Sequence, residues 1–241
     1  MSKRGQITIY FVVIFVLAVI VTSLFYLREY YINQAGQTQV SEVATVPKEL
    51  DTIKQEVRDC TQTFVEDSIY YVASRSGILE GNSVFFEYTN VSYLVVNKKN
   101  LLPSTVQMET IISNYINTNL ASVCATTDIE SQKVNSIIRI KDQEVSVVVN
   151  WPIVISKSGI SGTIDQFSFV YKMRLGEFRN VVSQIIENQI KYYPDLCLSC
   201  MAKIAVSNDG LIQRYIQDKD QIFVIQDNSN EKLKFGYAVR Y

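Results

Sequence analysis

Three hydrophobic patterns divide the chain, and the first is continuous. From Gly5 to Leu27 no residue carries a formal charge, and Ile, Val, Leu and Phe predominate. At about 1.5 Å per residue this stretch crosses a hydrocarbon layer of roughly 30 Å with some tilt. Tyr10 near one end and Tyr26, Tyr30 and Tyr31 near the other suit the two interfaces. Lys3 and Arg4 precede the span, which puts the N-terminus on the cytoplasmic side. A conventional secretory signal has an apolar region of roughly 7–15 residues and a small-x-small cleavage site, and neither fits here. The stretch also lacks the polar face expected of a core helix.

The second pattern recurs every three or four residues, as helices require. After Pro47, the residues Leu50, Ile53, Val57, Cys60 and Phe64 share a face. Ile69, Val72 and Ala73 continue it after a shift of register, and Gly77 supplies a stop. A second helix is expected from near Ser104, with Gln107 three residues on as a capping box. Its apolar face is Ile111, Ile112, Tyr115, Ile116, Leu120 and Val123, and it ends at Cys124. A third is expected from Leu175 to Tyr192, with Leu175, Phe178, Val182, Ile185, Ile186 and Ile190 inside.

The third pattern alternates, as half-buried strands do. Val84 to Tyr88 and Val91 to Val96 are strand-like. Residues 134–140 and 144–151 predict a hairpin turning at Lys141-Asp142-Gln143, with Pro152 breaking the second strand or lying at an edge. Ser156 to Gly162 predicts a loop and Thr163 to Met173 a strand. Leu211–Ile216, Ile222–Gln226 and Lys234–Arg240 predict a closing antiparallel meander, with Asn208-Asp209-Gly210 and Asp227–Asn230 as turns. No internal repeat is visible. Helices and strands mix without strict βαβ alternation, so the expected class is α+β: an N-terminal transmembrane helix followed by a mixed helix/antiparallel-sheet ectodomain. The expected division is 1–31 as signal-anchor, 32–46 as a stalk or linker rich in Gln, Thr, Ser and Val, and 47–241 as an extracytoplasmic domain.

Composition narrows the chemistry. A formal net charge of -1 over 241 residues argues against nucleic acid as a partner. Histidine is absent, which excludes Ser-His-Asp and Cys-His nucleophile systems and zinc sites built on histidine. Carboxylates, Lys and Tyr could still support acid–base work. Adjacent acids such as Glu66-Asp67 and Asp218/Asp220 read as solvated faces. The acids and Asn residues from Asp218 to Glu231 miss the EF-hand spacing. The expectation is a chain that is not an enzyme, with no catalytic residue, metal or cofactor.

Four cysteines, Cys60, Cys124, Cys197 and Cys200, all follow the apolar span, on the side where disulfides are permitted. Three pairings are open. Cys60 lies on the apolar face of the first helix and Cys124 ends the second. A bond between them would close a loop of about 65 residues and contribute roughly 4 kcal/mol in the chain-entropy model. The alternative is a pair of buried thiols packing as small apolar groups. Cys197-Leu198-Ser199-Cys200 has redox spacing but follows a helix instead of a strand, which favours a local structural disulfide over a thioredoxin-like site. Asn90-Val91-Ser92 is an N-glycosylation sequon.

The run Lys3-Arg4-Gly5-Gln6-Ile7-Thr8-Ile9 resembles the class III signal peptide of archaeal type IV pilin-like proteins. That resemblance implies cleavage by a prepilin peptidase between Gly5 and Gln6 and retention of the helix. Tyr10 stands where bacterial pilins carry Glu, a position that is looser in archaeal members. The whole chain also resembles a group of uncharacterised archaeal membrane-anchored proteins, through Val57-Arg58-Asp59-Cys60, Met108 to Leu120, and Phe235-Gly236-Tyr237-Ala238-Val239-Arg240-Tyr241. The expectation is a single-pass cell-membrane protein with a cytoplasmic N-terminus and a structural, assembly or interaction role in the envelope. Its expected partners are the lipid bilayer, a prepilin peptidase and other envelope or pilin-like subunits. The competing expectation is an extracytoplasmic thiol-disulfide oxidoreductase using Cys197 and Cys200.

Overall fold

A computed structural model describes residues 39–241 apart from Tyr88, residues 126–128 and Tyr241. The apolar span at 5–27 and the cleavage position expected between Gly5 and Gln6 lie outside the described residues. Among the described residues no helix is long and apolar enough to cross a membrane. The described unit begins at Gln39, so the segment expected as a stalk contributes its second half to the fold. Strand β1 (Gln39–Thr45) pairs antiparallel with β8 (Ile160–Lys172). Its polar composition hid it, as edge strands are often polar.

Helix α1 (Asp51–Ser74) enters through a 3-10 turn at Lys48–Leu50. Its buried stripe includes Ile53, Val57, Thr61, Val65, Ser68, Ile69 and Val72. Two polar residues, Thr61 and Ser68, interrupt this stripe, which is why the hydrophobic pattern in the sequence shifts register. Their hydroxyls are satisfied inside the helix, Thr61 Oγ1 by Val57 O at 2.7 Å and Ser68 Oγ by Phe64 O at 2.6 Å. The helix ends in a Schellman arrangement: Ser76 N donates to Ala73 O, and Gly77 N to Val72 O. Ser76 takes the left-handed position, with Gly77 next to it also at positive φ. Helix α2 (Thr105–Cys124) starts with a complete Ser104/Gln107 capping box.

The first sheet is antiparallel throughout, in the order β1, β8, β7 (Glu144–Lys157), β5 (Ile129–Ser131), with β6 (Asn135–Ile140) sharing the outer edge of β7. β7 runs straight through Pro152. The register against β8 skips from Asn150 to Ile153, so the missing proline N–H falls in a bulge. Alternation in β8 changes phase at Asp165-Gln166, and only its first residues, Ile160 to Gly162, fall in the segment that the sequence predicts as a loop. The turn is only Ser158-Gly159, both at positive φ, as a type I′ hairpin demands. Helix α2 seals the outer edge of β6. Ser136 N donates to Asn117 Oδ1 at 2.7 Å, Ile140 N to Glu109 Oε1 at 2.8 Å, and Ser113 Oγ to Ser136 O at 2.7 Å.

The second sheet has the order β2 (Ser83–Phe86), β3 (Thr89–Val96), β11 (Lys234–Arg240), β10 (Asp220–Asp227), β9 (Gly210–Gln217), with β4 (Lys99–Asn100) also on β3. The expected meander is present, and β11 in addition pairs parallel with β3. Helix α3 (Leu175–Tyr192) packs Phe178 against Phe235, with ring centroids 6.1 Å apart, and Gln189 accepts from the Tyr237 hydroxyl at 3.1 Å. Helix α4 (Leu198–Ser207) follows α3 and carries Cys200 in its first turn. One continuous core joins both sheets and includes Trp151, Phe167, Phe169, Phe178, Phe223 and Phe235. A smaller cluster of Val91, Tyr93, Ile222 and Ala238 fills the other face of the second sheet.

Candidate functional site

The four cysteines form two bridges of different character. Cys60 and Cys124 join α1 to α2, with Cα atoms 5.8 Å apart, inside the range that bridging needs. Both sit against the main core. Beside them Phe64 stacks on Tyr115 at 6.1 Å, and Tyr71 meets Tyr115 at 5.0 Å, so aromatic side chains line the same helix–helix seam.

Cys197 and Cys200 bridge within one turn, with Cα atoms 5.2 Å apart. Cys197 is the N-cap of α4. Met201 and Ala205 are buried and hold the helix to the core, whereas Leu198 is 45% and Val206 71% exposed. The apolar residues that flank the pair therefore face both ways, and both cysteines are half-buried. Cys197 Sγ lies 3.7 Å from Ser199 Oγ. A helix N-terminus favours a thiolate, so the arrangement is chemically able to exchange. The element before it is α3, not a strand, which departs from the thioredoxin pattern.

Two polar constellations were not visible in the sequence because their members are distant in the chain. Tyr93 donates to Asp220 Oδ2 at 2.6 Å, and Arg240 donates to Asp220 Oδ1 at 2.8 Å and to the Tyr93 oxygen at 2.7 Å. The guanidinium lies 5.0 Å from the Tyr93 ring centroid. Burial, then the hydrogen bond to Asp220, pushes the Tyr93 hydroxyl up to about 12. Arg240 and Tyr93 hold the Asp220 carboxyl below its usual range against the opposing effect of desolvation. A cavity of about 300 Å³ opens beside this group, lined by Asn82, Ser83, Tyr93, Val96 and Arg240. The second constellation is Arg174, whose Nη2 and Nε reach both oxygens of the fully buried Asp227 at 2.9 and 3.2 Å. Arg174 also donates to Asn208 O at 3.1 Å.

The acids between Asp218 and Glu231 do not converge. Asp218 is in the turn before β10 and Asp227 ends that strand, paired with Arg174. Among the described residues no group of His, Cys, Asp and Glu could hold a metal ion. A larger cavity of about 480 Å³ lies between α2 and the segment after α1, bordered by Ile78, Glu80, Asn114, Tyr115 and Asn119. Gly5 and Gln6 lie outside the described residues. No protein-family model, curated protein or solved structure matches the chain.

Proposed function

We propose that this chain is a single-span, membrane-anchored envelope protein whose folded part works outside the cytoplasm in assembly or interaction. The observation that carries the reading is the pairing of all four cysteines, each beyond the apolar span. Stable bridges belong to oxidising compartments. The basic pair before the span supports the same orientation. Under the pilin-like form of this proposal a prepilin peptidase cuts between Gly5 and Gln6, and the retained helix packs in the bilayer with other envelope subunits. The test is thiol labelling of sealed, right-side-out vesicles after reduction with an impermeant phosphine. Labelling of Cys197 supports the reading, and labelling only after membrane lysis overturns it. Mass spectrometry of the mature N-terminus separates a processed Gln6 start from an unprocessed anchor.

A second reading is thiol-disulfide exchange at Cys197–Cys200, favoured by the half-exposed position of Cys197 at the start of α4. A substrate thiolate attacks Sγ of Cys197, and Cys200 leaves as a thiolate. A second thiol of that substrate then resolves the mixed disulfide, leaving it oxidised and the pair reduced, and the reduced pair passes both electrons to a second protein's disulfide by the same steps in reverse. Insulin reduction with dithiothreitol as electron donor tests it. Turnover abolished by Cys197→Ser makes the oxidoreductase the better description, and a rate equal to the uncatalysed one removes it.

A further inference from the structure

The second sheet ends in two edges that approach each other without pairing. Tyr215 of β9 and Phe86 of β2 meet across the gap, their rings tilted by 47° with centroids 4.8 Å apart. Gln217 of β9 donates to Phe85 O at 3.3 Å. Side chains alternate along a strand, so Phe85 and Ile216 point away from the face on which Phe86 and Tyr215 meet. Both are left in solvent, Phe85 63% and Ile216 68% exposed. Asn90 is directly opposite Phe85 in the β2–β3 register. Opposed residues of an antiparallel pair share a face, with Cβ atoms about 5 Å apart. Asn90 is exposed, and its amide bonds to no described group. It is also the acceptor position of the only N-x-Ser/Thr sequon in the chain, Asn90-Val91-Ser92.

We propose that Asn90 carries an N-linked glycan and that its first sugar lies over the Phe85 ring. The proposal rests on the extracytoplasmic placement argued above. The donor is a lipid-linked oligosaccharide. The Asn90 Nδ2 forms a bond to the anomeric carbon of the sugar, the bond from that carbon to the lipid phosphate breaks, the lipid phosphate leaves, and the amide loses one proton. Nothing is oxidised or reduced. The axial C–H groups of a sugar match an aromatic face, so the glycan covers an apolar surface that no described side chain covers.

The same geometry places the modification before folding. Ser92 is 3% exposed, and its hydroxyl donates to Ile78 O at 3.1 Å. A transferase that reads the sequon hydroxyl reaches it only while β3 is unpaired. The glycan is therefore added to the emerging chain, and Ser92 then takes its place under the segment that follows α1.

The experiment is peptide mapping of the full-length protein purified from membranes of its native host. The tryptic peptide Ser76–Lys98 is expected to be heavier than its sequence mass by a whole number of sugar residues. Ser92→Thr keeps the sequon and keeps the added mass. Asn90→Gln and Ser92→Ala both lose it. An unmodified wild-type peptide overturns the proposal, as does added mass that persists in Asn90→Gln. If vesicle labelling finds Cys197 outside and the peptide is unmodified, this inference fails and the envelope reading stands. If labelling finds Cys197 in the cytoplasm, both fail. For the contact with Phe85, Phe85→Ala is expected to lower the melting temperature of the glycosylated protein more than that of the Asn90→Gln protein. Equal shifts overturn the contact.

Discussion

The two helix pairs use sulfur in opposite ways. Cys60–Cys124 ties α1 to α2 across 64 positions of chain, with both cysteines against the core. In the α3–α4 pair the bridge joins nothing to α3. It spans three positions inside the first turn of α4 and is half in solvent. The start of α3 is instead tied to the end of α4 by Arg174, its N-cap, which donates to the Asn208 carbonyl and is itself held in place by an ion pair with buried Asp227 of β10. Opening the first bridge removes a covalent tie between two helices, whereas opening the second leaves the contacts between α3 and α4 in place. Sequence separation and burial, more than the presence of a bond, decide whether a disulfide serves the fold or remains available for chemistry.

The strongest way to break this contrast is to remove the long bridge. Cys60→Ser combined with Cys124→Ser is expected to lose about 4 kcal/mol in the chain-entropy account. For a domain of this size that is a fall in melting temperature of about 10 °C. A loss below about 1 kcal/mol in urea melts would show that packing alone holds α1 on α2. Next comes the Arg174–Asp227 ion pair. Asp227→Asn leaves Arg174 facing a neutral amide, and the expected cost is about 3 kcal/mol because the carboxylate is fully buried. If that variant melts like the wild type, the α3–α4 pair is held by its apolar contacts instead.

The short bridge should matter less. Cys197→Ser with Cys200→Ser is expected to cost about 2 kcal/mol at most, since the ring it closes is small. It should also open first. Limiting dithiothreitol followed by alkylation and peptide mapping is expected to label Cys197 and Cys200 before Cys60 and Cys124, and the reverse order would sink the contrast. The smallest effect lies away from both helix pairs. Tyr93 keeps its proton in the fold until pH is about 12, above its ordinary 10.0. Its contribution is therefore complete below pH 10 and is lost as pH rises toward 12. The stability gap between wild type and Tyr93→Phe should shrink as pH rises from 10 to about 12, and a constant gap would mean that the hydroxyl does not titrate with folding.

Legibility in sequence followed the range of the interactions. The capping box at Ser104/Gln107, the third helix and the strands of the meander are local patterns, and each could be read directly. The position of Cys60 on a helix face and of Cys124 at a helix end was equally local. β1 was hidden by its polar edge composition, and the start of β8 by the turn-like residues Ser161 and Gly162. Thr61 and Ser68 blurred the stripe of α1 because a helix can satisfy hydroxyls internally. The Tyr93–Asp220–Arg240 group and the β3–β11 pairing join opposite ends of the domain, and no periodicity announces such a meeting. Asn90 was recognisable as a sequon, but its neighbour Phe85 was not, because strand register comes only with the fold.

The parallel pairing of β3 with β11 also sets a clock. The first sheet is built largely from contiguous hairpins between Ile129 and Lys172, so most of it can assemble as soon as that stretch is available. Tyr93 of β3 must wait for Ala238, which lies far further along the chain. Until then one long edge of β3 has no partner, and closing so distant a contact is slow. The domain is therefore a late finisher whose half-built second sheet offers an open edge. The hydrophilic bulk of a sugar at Asn90 would stand beside that edge during the interval when it could most easily pair with another chain.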